Sequence, residues 1–316
     1  MREYLDEWLE QHARKKVEPR TYEDYRSLLE RHVYPCLGAT RLDKLQNQPL
    51  QFRRLLNEIE EGEQQQRSRT AQYIHMILKQ ALKNAVHWGI ITRNPMESIP
   101  RPKASGKREI HPLSVEECRR FLDAAVYDRF FPLFALLLDT GLRPSEALGL
   151  QWSDVDLKKG VIHVRHSLDK TSSGWRLKDP KTKASRRTIP LTQNVAEILR
   201  EHRKAQLEER LRHGNPDMEW DLVFTTLNGK PVDLHNLRSR HFQPILKAAG
   251  LPSDIVLYDL RHTCATLLLL AGENPKIVSE RLGHSSIRMT LDVYSHVLPA
   301  MQESAATKLD SLLFGD

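Results

Sequence analysis

Residues 280–297 read Glu280-Arg281-Leu282-Gly283-His284-Ser285-Ser286-Ile287-Arg288-Met289-Thr290-Leu291-Asp292-Val293-Tyr294-Ser295-His296-Val297. Gly283 ends one helix, and Ser285 or Ser286 can cap the next. Tyr294 then falls about two and a half turns into that second helix. A lone tyrosine in such a place is usually packing. Three upstream segments change its weight. Thr140 to Leu148 (TGLRPSEAL) sets Arg143 just ahead of Pro144, a good first residue of a helix. A helix start and a planar guanidinium both favour an anion; taken alone, Arg143 reads equally well as a surface arginine paired with Glu146. Pro180 to Leu191 (PKTKASRRTIPL) sets lysines at a polar turn between two strands. Such a lysine can reach a phosphate or a leaving oxygen, or be an ordinary charged turn. Tyr258 to Thr263 (YDLRHT) opens a helix on which Tyr258 and Arg261 share a face. The apolar run after it anchors that helix in the core and holds Arg261 rigidly.

Outward from these segments the chain divides in two. Its first hundred residues read as four helices with short connections, a compact bundle. Tyr4, Leu5, Trp8 and Leu9 mark the first, and Thr21 caps the second, with Tyr25, Leu28 and Leu29 on one face. The third runs from about Pro49 to Ile59. Ser68 caps the fourth, which buries Ile74, Ile77, Leu78, Ala81, Leu82, Ala85 and Val86. Residues 97–112 hold Pro100, Pro102, Gly106 and Pro112, a basic and semi-extended linker. The reading is therefore a helical domain over 1–96, a linker over 97–112 and a mixed domain over 113–316. In the mixed domain Ser114 and Glu117 form a capping box. Helices are expected at about Asp128–Asp139, from Pro144, and at about Thr192–His213. Short strands are expected at Val161–Arg165, Trp175–Lys178, Arg187–Leu191 and Leu222–Phe224, the middle two joined by the lysine-rich turn. A small amphipathic helix is expected over 299–314. The fold class is mainly α with a small antiparallel β-sheet.

With 316 residues the chain suits two domains. No apolar run approaches the ~20 residues that span a bilayer, and the acidic N-terminus is unlike a signal peptide. Three distant cysteines form no disulfide framework. A cytoplasmic, nucleoid-associated protein is expected, with no membrane partner. The net charge is +7, and it is concentrated. Residues 101–108 carry four basic residues and no acid, and residues 176–187 carry six basic residues and one acid, so the rest of the chain is slightly acidic. Two basic patches on a near-neutral body point to a polyanion, nucleic acid above all. The bundle itself is balanced, with 16 basic and 14 acidic residues in 1–100, so any DNA contact it makes comes from one face. There is no phosphate-binding glycine loop, no His-Glu-x-x-His, no Cys-x-x-Cys and no acidic cluster spaced for two magnesium ions. The expectation is that neither cofactor nor metal is used. A protein that handles DNA without them either binds only, or cuts with a side-chain nucleophile and stabilises the phosphate with cations.

Taken together and in this order, TGLRPSEALGL, KTKASRRTIPL, YDLRHT and LGHSSIRMTLDVYSHV resemble the tyrosine recombinases, the phage integrases and their relatives on mobile elements. The resemblance covers nearly the whole chain. It implies a SAM-like core-binding domain over the N-terminal helices and an α+β catalytic domain from residue 113. Arg143 and Arg261 match the two catalytic arginines, Lys181 the lysine of the β-hairpin, His284 the histidine of the Leu-Gly-His motif and Tyr294 the nucleophile. Glu146 matches the acid that supports the first arginine. The family often reads His-x-x-Arg where this chain has Tyr258-Asp259-Leu260-Arg261. Tyr258 can donate a hydrogen bond to a phosphate oxygen, but with a pKa near 10 it is a poor proton shuttle. His262 is not the aligned residue.

The chemistry implied by the resemblance is a 3′-phosphotyrosine intermediate, formed by Tyr294 and resolved by a 5′-hydroxyl of a partner strand. His284 bonds to the phosphate and Lys181 protonates the leaving oxygen. The expected partners are duplex DNA at specific sites, three further copies of the chain in a tetramer on that DNA, and accessory DNA-bending or directionality proteins. Arg101, Lys103, Lys107, Arg108, Lys183, Arg186 and Arg187 are the expected DNA contacts. Nothing in the chain corresponds to the small arm-binding domain of many phage integrases, which fits either a simple recombinase or a trimmed one. Two other readings are a type IB topoisomerase, against which the full motif set argues, and a DNA-binding protein that no longer cuts, against which the filled catalytic positions argue.

Overall fold

The computed structural model describes residues 1–61, 66–103, 110–179, 186–213, 220–294, 306–307 and 309–314. The chain divides into two compact units, Met1–Glu109 with Lys170–Gly174, and Ile110–Asp169 with Trp175–Asp316. Among the described residues no helix is long and apolar enough to cross a membrane.

The first unit is helical. Its main elements are α1 (Arg2–Trp8), α2 (Pro19–Leu28), α3 (Pro49–Glu60) and α4 (Gln66–His87). Each of the first two runs on into a single π-helical turn, Leu9–Ala13 and Leu29–Val33. Trp8, Leu9, Leu29, Phe52, Ile74 and Leu78 are buried together. The Trp8 indole donates to Asn84 Oδ1 at 3.1 Å, so the one polar atom of that ring is satisfied inside the bundle. Two helix starts differ from expectation. α2 begins at Pro19 rather than after Thr21, because proline at a first helical position has its φ already set and no N–H to satisfy. α4 begins at Gln66, and the Ser68 hydroxyl donates instead to the Lys103 carbonyl at 2.6 Å.

The second unit contains α5 (Val115–Ala125), α6 (Phe131–Thr140) and α7 (Pro144–Leu148), then β1 (Val155–Asp156), β2 (Val161–Val164), β3 (Ser167–Thr171) and β4 (Gly174–Lys178), except for their joining tip Lys170–Gly174 that belongs to the first unit, and β5 (Arg187–Pro190). After these come α8 (Gln193–His213), α9 (Gln243–Ala248), α10 (Leu257–Leu270), α11 (Pro275–Leu282) and α12 (Ile287–Tyr294). The capping box expected at Ser114 and Glu117 is present. α6 carries Leu133, Phe134, Ala135, Leu136 and Leu137, all buried, and packs against α10. Phe121, Phe134 and Phe242 meet in tilted and edge-to-face pairs 5.6–5.8 Å apart at the centre of this core.

The strands are short and antiparallel, as expected, but two of them choose other partners. β4 pairs with β3, and β5 pairs with β2, with Val164 opposite Arg187 and Ile162 opposite Ile189. The expected hairpin between Trp175–Lys178 and Arg187–Leu191 therefore does not form as a ladder: the two strands lie in different sheets. Leu222–Phe224 is no strand either. Leu222 makes one isolated bridge to Gln151, and the Val223 N–H donates to the Leu150 carbonyl at 2.8 Å.

Candidate active site

Four turns of the second unit bring the arginines together. α6 ends at Gly141, which is left-handed at φ +65°. The backbone conformation favours glycine, and a Cβ there would lie 2.6 Å from Leu282 Cδ2, so that side chain would also have to shift. The turn frees the Gly141 carbonyl to accept from Arg261 Nη1 at 2.8 Å. Arg261 lies on the second turn of α10 and is only 1% exposed. Among the described residues its buried Nη2 has no hydrogen-bond partner. Burial pulls the Arg261 pKa down to about 10, with Tyr258 opposing and Arg143 adding to the fall. The guanidinium therefore stays charged at neutral pH while lacking one bond, which a buried donor does not forgo without cost.

Arg143 is the residue that caps α7. Its backbone N–H donates to Glu146 Oε2 at 3.0 Å and its Nη1 to Oε1 at 2.6 Å. Glu146 therefore accepts two bonds from Arg143, and it also serves a second arginine. Arg187 Nη2 donates to Oε2 at 2.9 Å and Nη1 to Oε1 at 3.4 Å, a planar two-pronged pair. Burial pushes the Glu146 carboxyl up, but Arg187 and then Arg143 outweigh it and hold the group below its usual range. For Arg143, burial works against the charge, and Glu146 with Tyr258 more than offsets it, so its pKa lies above the ordinary value.

Arg187 was expected on the surface as a DNA contact. It is instead buried, its side chain 7% exposed, with Nε donating to the Arg281 carbonyl at 2.6 Å. Strand parity explains this: Arg187 and the buried Ile189 point to one side, and exposed Thr188 to the other. That alternation was readable in the sequence. The Arg187 guanidinium lies against Gly283, where a Cβ would come within 2.8 Å of Nη1. Gly283 is left-handed at φ +68° and ends α11, as its place in the motif suggested. Arg281 was also missed. Its Nη2 donates to the carbonyls of Asp139 (2.8 Å) and Pro190 (3.2 Å), tying α11 to α6 and β5.

His284 follows Gly283. Its Nδ1 lies 2.8 Å from the Thr290 hydroxyl, and Thr290 is fully buried. Burial, then Arg261, Arg143, His262 and Arg187, push the imidazole pKa down to about 4, so the ring is neutral at pH 7. Tyr258, on the first turn of α10, is 39% exposed; its ring centroid lies 5.9 Å from the Arg261 guanidinium and 5.2 Å from the His262 ring. Tyr294 ends α12.

Of the expected DNA contacts, Arg101 and Lys103 are exposed, and exposed Arg186 sits 3.4 Å from Asp179. Lys181, Lys183, Lys107 and Arg108 lie outside the described residues. One basic surface escaped the sequence reading. α4 contains no Asp or Glu, and Arg69, Tyr73, Met76, Gln80, Lys83 and His87 are exposed along it at helical spacing. Among the described residues no group of three or more His, Cys, Asp or Glu side chains is placed to hold a metal ion.

This chemistry has known counterparts. The phage integrase family profile matches residues 112–301, and that of the phage integrase N-terminal SAM-like domain matches residues 1–59. A tyrosine recombinase XerC-like protein of Caldanaerobacter subterraneus is 32% identical over 96% of this chain and 81% of its own length. The ICEBs1 integrase of Bacillus subtilis is 28% identical over 93% and 78%. The Tn1549 transposon integrase, solved in complex with circular intermediate DNA, superposes with a TM-score of 0.74 at 26% identity and covers 98% of both chains. The lambda integrase dimer bound to a core site shares the fold, with a TM-score of 0.67 at 19% identity over 93% of this chain and 95% of its own. The chain therefore belongs to the phage integrase family and is a tyrosine recombinase, an enzyme that cleaves and rejoins DNA.

Proposed function

We propose that Tyr294 attacks the scissile phosphate within the Arg143–Arg261 cluster and that the chain integrates or excises a mobile element. The observation that carries this is the unsatisfied Nη2 of Arg261, a buried cationic donor beside two other arginines and only one carboxylate. Arg143, Arg187 and Arg261 against Glu146 leave a net charge of +2 with His284 neutral. A phosphodiester brings −1, and the five-coordinate state reached during attack brings −2. The cluster is thus balanced by the transition state rather than the ground state, the condition for catalysis by electrostatic stabilisation. Tyr294 Oη bonds to phosphorus and the bond to the 5′-oxygen breaks. Lys181 supplies that oxygen's proton. The Tyr258 hydroxyl donates to a non-bridging oxygen. The phosphotyrosine conserves the energy of the broken linkage, so a second 5′-hydroxyl can rejoin the strand without ATP or metal.

Arg101, Lys103, Lys107, Arg108, Lys183 and Arg186 bind phosphates of the duplex, with the exposed side of α4 adding Arg69 and Lys83. Phosphate contacts of this kind make affinity fall steeply with salt. Strand exchange between two duplexes takes four active sites, hence a tetramer on DNA. The exposed apolar side chains Leu309, Leu312, Leu313 and Phe314 form the tail that docks on a neighbouring copy. Truncation after Leu298 is expected to abolish assembly on DNA in sedimentation while leaving one-to-one binding. Unchanged assembly would remove the tail from this role.

The test of the chemistry is a random-sequence duplex library carrying nicks, incubated with the protein in EDTA and then denatured. A nick near the cleavage point lets the short 5′-hydroxyl fragment diffuse away. Covalent protein–DNA adduct is expected, and sequencing the attached strand identifies the site. Sequence-selective binding with no adduct would favour a chain that binds without cutting.

A further inference from the structure

We infer that Thr290 is a positioning residue that holds His284 in the Nδ1-protonated tautomer, so that Nε2 is the proton acceptor for the Tyr294 hydroxyl. This rests on the proposed role of Tyr294 and deepens it. Three observations lead there. First, the proton of the attacking tyrosine needs a destination, and the usual candidate is missing. Tyr258 stands where the resemblance puts a histidine, and a neutral phenol offers no basic ring nitrogen to take the proton. Second, among the described residues the ring nitrogen of His284 that is engaged is Nδ1, held at 2.8 Å by a threonine with no exposed surface. A neutral imidazole carries one donor and one acceptor nitrogen, and the bond at one decides the other. Third, the charges around the ring are one-sided. Arg261 and His262 on α10, Arg143 on α7 and Arg187 on β5 all disfavour positive charge on His284, with Glu146 the carboxylate among them. An N–H pointed at guanidinium groups is repelled and a lone pair is attracted. The stable arrangement is therefore Nδ1–H donating to Thr290 Oγ1, with the Nε2 lone pair turned to the cluster.

The proton balance follows. As Tyr294 Oη bonds to phosphorus, its proton passes to His284 Nε2. The arriving phosphate supplies the negative charge that the empty cluster lacks, so imidazolium becomes tolerable when it is needed. The new Nε2–H then donates to a non-bridging oxygen, which reconciles a base with the hydrogen bond to phosphate expected of this position. On rejoining, the proton returns to the phenolate. Thr290 and Tyr294 are also four residues apart on α12. The residue that orients the ring therefore rides on the helix that delivers the nucleophile, and a displaced helix releases both.

The experiment compares wild type, Thr290→Val and Thr290→Ser by imidazole ¹⁵N NMR of the free protein and by adduct formation on the nicked duplex across pH. Expected for the wild type is a protonated Nδ1 and a bare Nε2. Thr290→Val should shift the ring toward the Nε2–H form that free imidazole side chains favour. It should slow adduct formation on the order of tenfold to a hundredfold, as when an orienting hydrogen bond to a functional histidine is lost, and displace the pH–rate profile. Thr290→Ser keeps the hydroxyl and should restore both tautomer and rate. A wild-type ring protonated at Nε2, or a valine variant with unchanged tautomer and pH profile, overturns the inference. If the wild type forms no adduct on any duplex, the nucleophile assignment fails, and the NMR tautomer still decides the role of Thr290 by itself.

Discussion

Tyr294→Phe is expected to bind the nicked duplex with unchanged affinity and to form no covalent adduct, a loss on the order of 10⁴-fold or more, as when a nucleophile is deleted elsewhere. Only an oxygen is removed, and phenylalanine keeps the apolar ring. On the proposed function, binding rests on arginines and lysines of other elements and should retain its salt dependence. At pH 7 roughly one free tyrosine in a thousand is ionised, so attack depends on the cluster favouring the phenolate, and a hydroxyl placed elsewhere would lack that field. Adduct formed by Tyr294→Phe would require another nucleophile and would sink the assignment.

Arg187→Met should cost about 3 kcal/mol in chemical unfolding and depress adduct formation well beyond what the stability loss explains. Breaking a buried ion pair from one side typically costs about 3–5 kcal/mol; the lower end applies because Arg143 still pairs with Glu146. The catalytic effect has a separate origin. Arg187 holds Glu146 and the Arg281 carbonyl and fills the space beside Gly283. Its loss lets Glu146 turn wholly to Arg143 and loosens the corner that presents His284. Arg187→Lys should recover little, since an ammonium cannot reproduce a two-pronged bond. The double variant Arg187→Met/Glu146→Leu should regain part of the stability and none of the cleavage. Equal losses in stability and rate across the series, with both recovered together in the double variant, would reduce Arg187 to a core contact.

The helix ends in the segments around Arg143 and His284 match expectation because those segments are punctuated by residues with strong local preferences. Gly141 and Gly283 both adopt the left-handed turn, and Pro144 opens its helix where expected. Those preferences act within a few residues, so helix ends were legible. Strand partners were not. β4 and β5 follow one another in sequence, and consecutive strands usually pair, yet here β5 joins β2 and β4 folds back on β3 through a turn at Gly174. Partner choice depends on which faces are covered by α6 and α11, which no local pattern records. The same limit hid Arg187. Its chemistry suggested a phosphate contact, while the alternation along β5 turns it to the same side as the buried Ile189. Arg281 gave no signal, since its work is to bond to main-chain carbonyls of distant elements.

A single carboxylate shared between Arg143 and Arg187, the latter 41 residues from Glu146 in sequence, makes three positions mutationally interdependent. The effect of any change at one depends on the state of the other two, so single-step drift through this cluster meets fitness valleys that paired changes would bypass. Laboratory evolution toward a new target sequence should therefore accumulate its substitutions on the solvent side, at positions such as Arg69, Lys83, Arg101 and Arg186, while the Glu146 node stays still. On the proposed roles, burial divides the enzyme's adaptable and unadaptable parts: exposed basic side chains can change one at a time, and the buried Glu146 node cannot.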